Sequence, residues 1–95
     1  MYTDHDVHCA HPASSFNRAS IETGATCGCF FCCKVFSPTE HPIKEWTDYQ
    51  RTALCPFCGI DSIVSSADIK WANDERFLRA MEKKWFSLSE EDKNG

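Results

Sequence analysis

Two cysteine pairs, Cys29-Phe-Phe-Cys32 and Cys55-Pro-Phe-Cys58, stand 22 residues apart in a chain of 95, and no other feature constrains the fold as tightly. Two thiolates separated by two residues reach a single metal ion from one tight turn. Two such turns complete the four-ligand tetrahedral shell that structural zinc prefers. The spacing therefore predicts one Zn²⁺ bound by Cys29, Cys32, Cys55 and Cys58. The matching fold class is small α+β of the zinc-ribbon type: two cysteine knuckles facing each other, with a short antiparallel sheet extending from them. A shell of four thiolates has no open position for water or substrate, so the ion is expected to stabilise the fold and not to act as a Lewis acid. Cys27 and Cys33 flank the first pair and leave a shifted register open. The two-residue gap shared with the second pair favours Cys29 and Cys32.

Size and charge agree with a metal-stabilised domain. A chain this short buries little apolar surface, and small domains commonly rely on metals, disulfides or partners. No apolar run is long enough to span a membrane, and the acidic, polar opening does not resemble a secretory signal. A cytoplasmic location is the resulting expectation. There the thiols stay reduced, so paired cysteines read as metal ligands and not as a disulfide framework. Four thiolates and one divalent cation add −2 to the formal charge of −4, giving about −6, which works against generic attraction to a phosphate backbone.

Residues 1–13 carry His5, His8, Cys9 and His11 without apolar periodicity and are expected to form a mobile or loosely packed arm. Those four side chains are chemically suited to a second metal site, which the entropy of closing a flexible segment opposes. A single domain is expected over residues 14–88, followed by a frayed acidic tail over residues 89–95. Within the domain, a short helix is expected from Ser14 or Ser15 to Glu22, with a serine cap, inward Phe16 and Ile21, and Gly24 as the stop. Cys27 to Phe36 forms the first knuckle and an emerging strand, with Phe36 covering one side of the metal. Residues 43–46 and 52–54 read as strands joined by a polar connection at 48–51, and residues 60–64 as another strand. A final helix starts near Asn73. It places Phe77, Leu78, Met81 and Trp85 on an apolar face, with Arg76, Arg79 and Lys83 as a stripe opposite.

No nucleophile motif or phosphate-binding glycine loop accompanies the cysteines, and His41 with Asp48 or Asp61 makes only a chance-level acid/base pair. The chain reads as a non-enzyme. Aromatic residues make up 13% of it, and Trp46, Tyr49, Trp71, Trp85 and Phe86 exceed what so small a core needs. These, with the stripe Arg76, Arg79 and Lys83, suggest a protein-binding surface or a homodimer contact, leaving monomer or homodimer open. Two alternatives remain. The basic stripe suits nucleic acid, though Glu75, Glu82 and the net charge oppose it. Cys27, Cys33 beside Lys34, or the zinc cysteines themselves suit thiol or redox sensing.

The combined pattern resembles a family of small bacterial cytoplasmic proteins of unknown function. The resemblance rests on Cys27-Gly-Cys-Phe-Phe-Cys32, Phe36, Trp46, the run from Thr52 to Ser62 (TALCPFCGIDS), Phe77-Leu-Arg-Ala-Met81 and Trp85-Phe86, and covers residues 16–86. It implies the zinc site and the ribbon fold and carries no activity. Where members have a Gly-rich segment after the Ile-Asp-Ser strand, this chain has Ser65 to Trp71 (SSADIKW).

Overall fold

The computed structural model describes residues 2–86. In chain order, α1 (Asp4–Ala10) runs into a 3-10 turn (His11–Ser14), then α2 (Arg18–Glu22), β1 (Cys27–Cys29), β2 (Val35–Phe36), β3 (Trp46–Thr47), β4 (Thr52–Ala53), β5 (Ile63–Ser65) and α3 (Glu75–Trp85). This is a small α+β arrangement. β1 is the central strand of an antiparallel sheet ordered β2-β1-β5, with Cys27 opposite both Phe36 and Ser65, and β3 pairs with β4 in a separate hairpin. No helix among the described residues is long and apolar enough to cross a membrane.

Because side chains alternate across a strand, the central sheet divides the interior into two clusters. Val64 joins Val7, Ala10, Phe30, Ala72, Phe77, Leu78 and Met81 on the α3 side, whereas Cys27, Cys29 and Ile63 join Ile21, Phe36, Ala53 and Cys55 on the other. Gly28 sits between Cys27 and Cys29, facing α3. A Cβ there would overlap the Ala72 carbonyl oxygen and lie 2.8 Å and 2.9 Å from the two Leu78 methyls, so only glycine lets the start of α3 lie directly on β1.

The start of the chain is helical and packed, which corrects the expectation of a loose arm over residues 1–13. Thr3 and Asp6 form a reciprocal capping box, and Val7 and Ala10, one turn apart, are buried against α3. Tyr2 donates its hydroxyl to Asp74, which also accepts from the Arg76 amide and so caps α3. Hydrogen bonds from Tyr2, then from Arg76, hold the Asp74 carboxyl at about 2, below the usual carboxylate range, so the cap stays ionised. Two apolar positions in seven are too few to register as a periodic face, and the acidic first turn masks a helix start. The expected acidic tail over residues 89–95 lies outside the described residues.

The second helix is shorter than expected and begins differently. Asn17, not a serine, precedes it, and Phe16 turns outward with φ +49° and 62% exposure instead of facing the core; Ile21 is buried and Gly24 ends the segment at φ +86°. Asn17 itself is buried. Its amide donates to the Ile63 carbonyl at 2.7 Å, and its side-chain oxygen accepts from the Ala53 amide at 3.1 Å, tying β5 to β4. Similarly, α3 is capped by Asp74, one residue later than the expected Asn73.

Two substitutions test this packing. Asn17→Ala strips partners from two buried backbone groups and is expected to cost about 2–4 kcal/mol in chemical denaturation. Gly28→Ala forces the base of α3 away from β1 and is expected to cost at least about 1–3 kcal/mol, whereas Ala25→Gly, outside both clusters, costs less than either.

Candidate metal centre

The two knuckles are built by the same set of backbone hydrogen bonds. In the first, the Cys33 amide donates to the Cys29 carbonyl at 2.8 Å and the Cys29 amide to the Lys34 carbonyl at 3.0 Å. In the second, the Gly59 amide donates to the Cys55 carbonyl and the Cys55 amide to the Ile60 carbonyl, both at 2.9 Å. In each, the amide two residues on points at the leading sulfur: Phe31 to Cys29 and Phe57 to Cys55, both at 3.4 Å. The turn requires a left-handed residue after its second cysteine, and Gly59 supplies it at φ +79° while Cys33 occupies the equivalent place at φ +62°. That explains Cys33 without assigning it a ligand role.

The four sulfurs Cys29, Cys32, Cys55 and Cys58 lie within 4.8 Å of one another. Across the knuckles, Cys29 to Cys58 is 3.7 Å and Cys32 to Cys55 is 3.8 Å. A tetrahedron with metal–sulfur bonds of about 2.3 Å has edges of about 3.8 Å, so the separations fit one tetrahedral ion in an all-thiolate shell. Cys29 and Cys55 are buried and Cys32 and Cys58 half-buried. The Ser62 Oγ lies 3.0 Å from the Cys29 sulfur.

The sulfurs differ in how readily they ionise. Burial raises the Cys29 thiol, but hydrogen bonds from the Cys32 backbone, the Ser62 hydroxyl and the Phe31 backbone outweigh it, and the net direction is downward. Burial first, and then the charge of neighbouring sulfurs, pushes Cys32 up to about 11 and Cys58 higher still. Four thiols this close oppose one another's ionisation, and a bound divalent cation reverses that balance by binding the thiolate form.

Among the described residues, this quartet is the only group of three or more potential ligands close enough to share a metal ion. Cys27 is excluded from it: its buried thiol donates to the Ala25 carbonyl and is pushed up to about 11 by burial. The N-terminal histidines do not converge. His5 sits 3.6 Å from the Cys9 sulfur on the exposed side of α1, whereas His8 and His11 stack toward Trp85 at 6.0 Å and 4.2 Å.

The aromatic residues singled out from the sequence are scattered, not gathered. Trp71, Trp85 and Phe86 pack against the α3-side cluster, and Trp46 borders the other with the Arg18 guanidinium 4.5 Å from its ring centroid. Tyr49 alone stands clear at 95% exposure, in a turn where Asp48, Tyr49 and Gln50 all have positive φ. The sequence reading missed Phe31 and Phe57, which protrude from the two knuckle tips; each falls between ligands, so the cysteine spacing itself marks it as a tip. Phe36, expected over the metal, is buried and meets Phe57 edge-on at 5.6 Å. Arg76, Arg79 and Lys83 are exposed along α3, with Arg76 paired to Asp74 and Arg79 to Glu75.

No family model, curated protein or solved structure matches the chain.

Replacing Cys29 or Cys58 with serine is expected to abolish stoichiometric metal binding and, with it, the cooperative thermal transition, because binding energy here is folding energy. Cys27→Ser is expected to retain the metal. A Cβ on Gly59 would meet nothing within 4 Å, so Gly59→Ala tests backbone conformation alone and should cost about 1–2 kcal/mol with the metal retained.

Proposed function

We propose that this chain is a non-enzymatic zinc-ribbon domain with one structural Zn²⁺, serving as a protein-interaction module. The observation that carries the reading is the donor set: four sulfurs at tetrahedral separations, two of them buried. Filled by one ion, that shell offers no vacant coordination position. Zinc suits four thiolates and brings no redox chemistry of its own. In this reading the ion holds the knuckles together, and function lies on the surface they support. The proposal also places the chain in the family of small bacterial cytoplasmic proteins that its cysteine pattern resembles. Nucleic-acid binding is the weaker alternative, since Asp74 and Glu75 lie among the cations of α3 and the chain carries a formal charge of −4.

Elemental analysis of the purified protein is expected to give one zinc per chain. Chelation should unfold the domain, and added Zn²⁺ should restore it. In-cell crosslinking is expected to capture a defined protein with the intact chain and not with the Cys58→Ser variant. A folded, metal-free protein would contradict the zinc reading, and absence of any crosslinked partner would contradict the interaction reading.

A further inference from the structure

The outer face of α3 is concave where it meets Tyr2. Two hollows, of about 570 Å³ and about 660 Å³, flank it and share Tyr2, Ala80 and Lys83. They form one trough, because Arg76, Arg79, Ala80 and Lys83 follow the three-and-four spacing of a single helical stripe. Tyr2 and Ala80 give it an apolar lining, and Arg76, Arg79 and Lys83 a cationic one. The first hollow continues between α1 and α3 past Val7 and Trp85 to Lys84.

The cations are available to a ligand. Lys83 has no acidic partner among the described residues. The Arg76 and Arg79 side chains are 87% and 67% exposed, and each contacts its own neighbour only through Nε and Nη2. The outer edge of each guanidinium therefore remains open to a second carboxylate, and exposed pairs of this kind are weak because water and salt screen them. Lys84 reaches Asp4 only at 3.9 Å. Four cations therefore line this face, with Asp74, Glu75 and Asp4 beside them, in a chain whose formal charge is −4.

We propose that this trough docks an acidic peptide segment of a partner protein, with an apolar side chain against Tyr2 and Ala80 and carboxylates on Arg76, Arg79 and Lys83. The proposal rests on the protein-interaction reading and names its surface and partner chemistry. Charge complementarity selects an acidic ligand, and the apolar lining selects one with a hydrophobic side chain. A nucleic-acid backbone fits less well, because its evenly spaced phosphates would meet Asp4, Asp74 and Glu75 interleaved among the cations. Carboxylates on a peptide can engage the cations singly, and arginine forks accept them in bidentate geometry.

The test uses the zinc-loaded chain and a fluorescein-labelled peptide containing a Phe-Leu pair flanked by glutamates. The comparison ligands are the same peptide with lysines for glutamates and a single-stranded oligonucleotide of equal charge. Fluorescence anisotropy should show binding of the acidic peptide that weakens as salt rises, and no binding of the basic one. Lys83→Glu should weaken it by about tenfold or more. Arg79→Ala should weaken it as well, and metal content and circular dichroism should be unchanged in both variants. Equal binding of the two peptides, or acidic-peptide affinity indifferent to both substitutions, overturns the proposal. So does tighter binding of the oligonucleotide at the same residues. If the crosslinked partner is captured equally by the intact chain and by Lys83→Glu, the interaction reading stands and this surface is wrong.

Discussion

The convergence of four sulfurs between two knuckles is the constraint on which the other contacts depend. Each knuckle is a tight hydrogen-bonded turn, and one forms the link from β1 to β2 while the other follows β4. The strands themselves are two or three residues long and cannot hold a sheet by pairing alone. A metal shared by the two turns would connect segments more than 20 residues apart and fix the ends of β1 and β4. Apparent binding energies of structural zinc, about 10–16 kcal/mol, are comparable with the whole stability of a small domain.

From that anchor the remaining architecture follows by alternation along β1 and β5. Cys29 points into the centre and Gly28 away from it, so the strand that supplies a ligand also supplies the bare surface on which α3 rests. Asn17 reinforces the same junction from outside, joining β5 to β4 through two buried hydrogen bonds. The Tyr2–Asp74 contact carries the order further, linking the first residues of the chain to the first turn of α3. The cationic trough is thus formed by elements from opposite ends of the chain, placed together by a core the cysteines organise.

The parts legible in the sequence were those written in short-range spacing. The cysteine quartet came from two identical gaps, the buried face of α3 from Phe77, Leu78 and Met81, and the end of α2 from Gly24. What was hidden depended on partners distant in sequence. α1 has only Val7 and Ala10 to bury, and its stability depends on α3, 70 residues away, so no local pattern announces it. Phe16 was misplaced because Asn17, a polar residue, takes the buried position through hydrogen bonds to β4 and β5. The dispersal of the aromatic residues has a related cause. Trp71, Trp85 and Phe86 are half-buried in packing around α1 and α3, which composition alone does not reveal.

X-ray absorption at the zinc edge of the purified, folded protein tests the four-sulfur site, because it counts the ligands and identifies their element. The expected result is four sulfurs at about 2.3 Å with no nitrogen or oxygen in the shell, and the same spectrum for Cys27→Ser and His5→Ala. A shell containing nitrogen or oxygen, or one that changes when Cys27 or His5 is replaced, would contradict it.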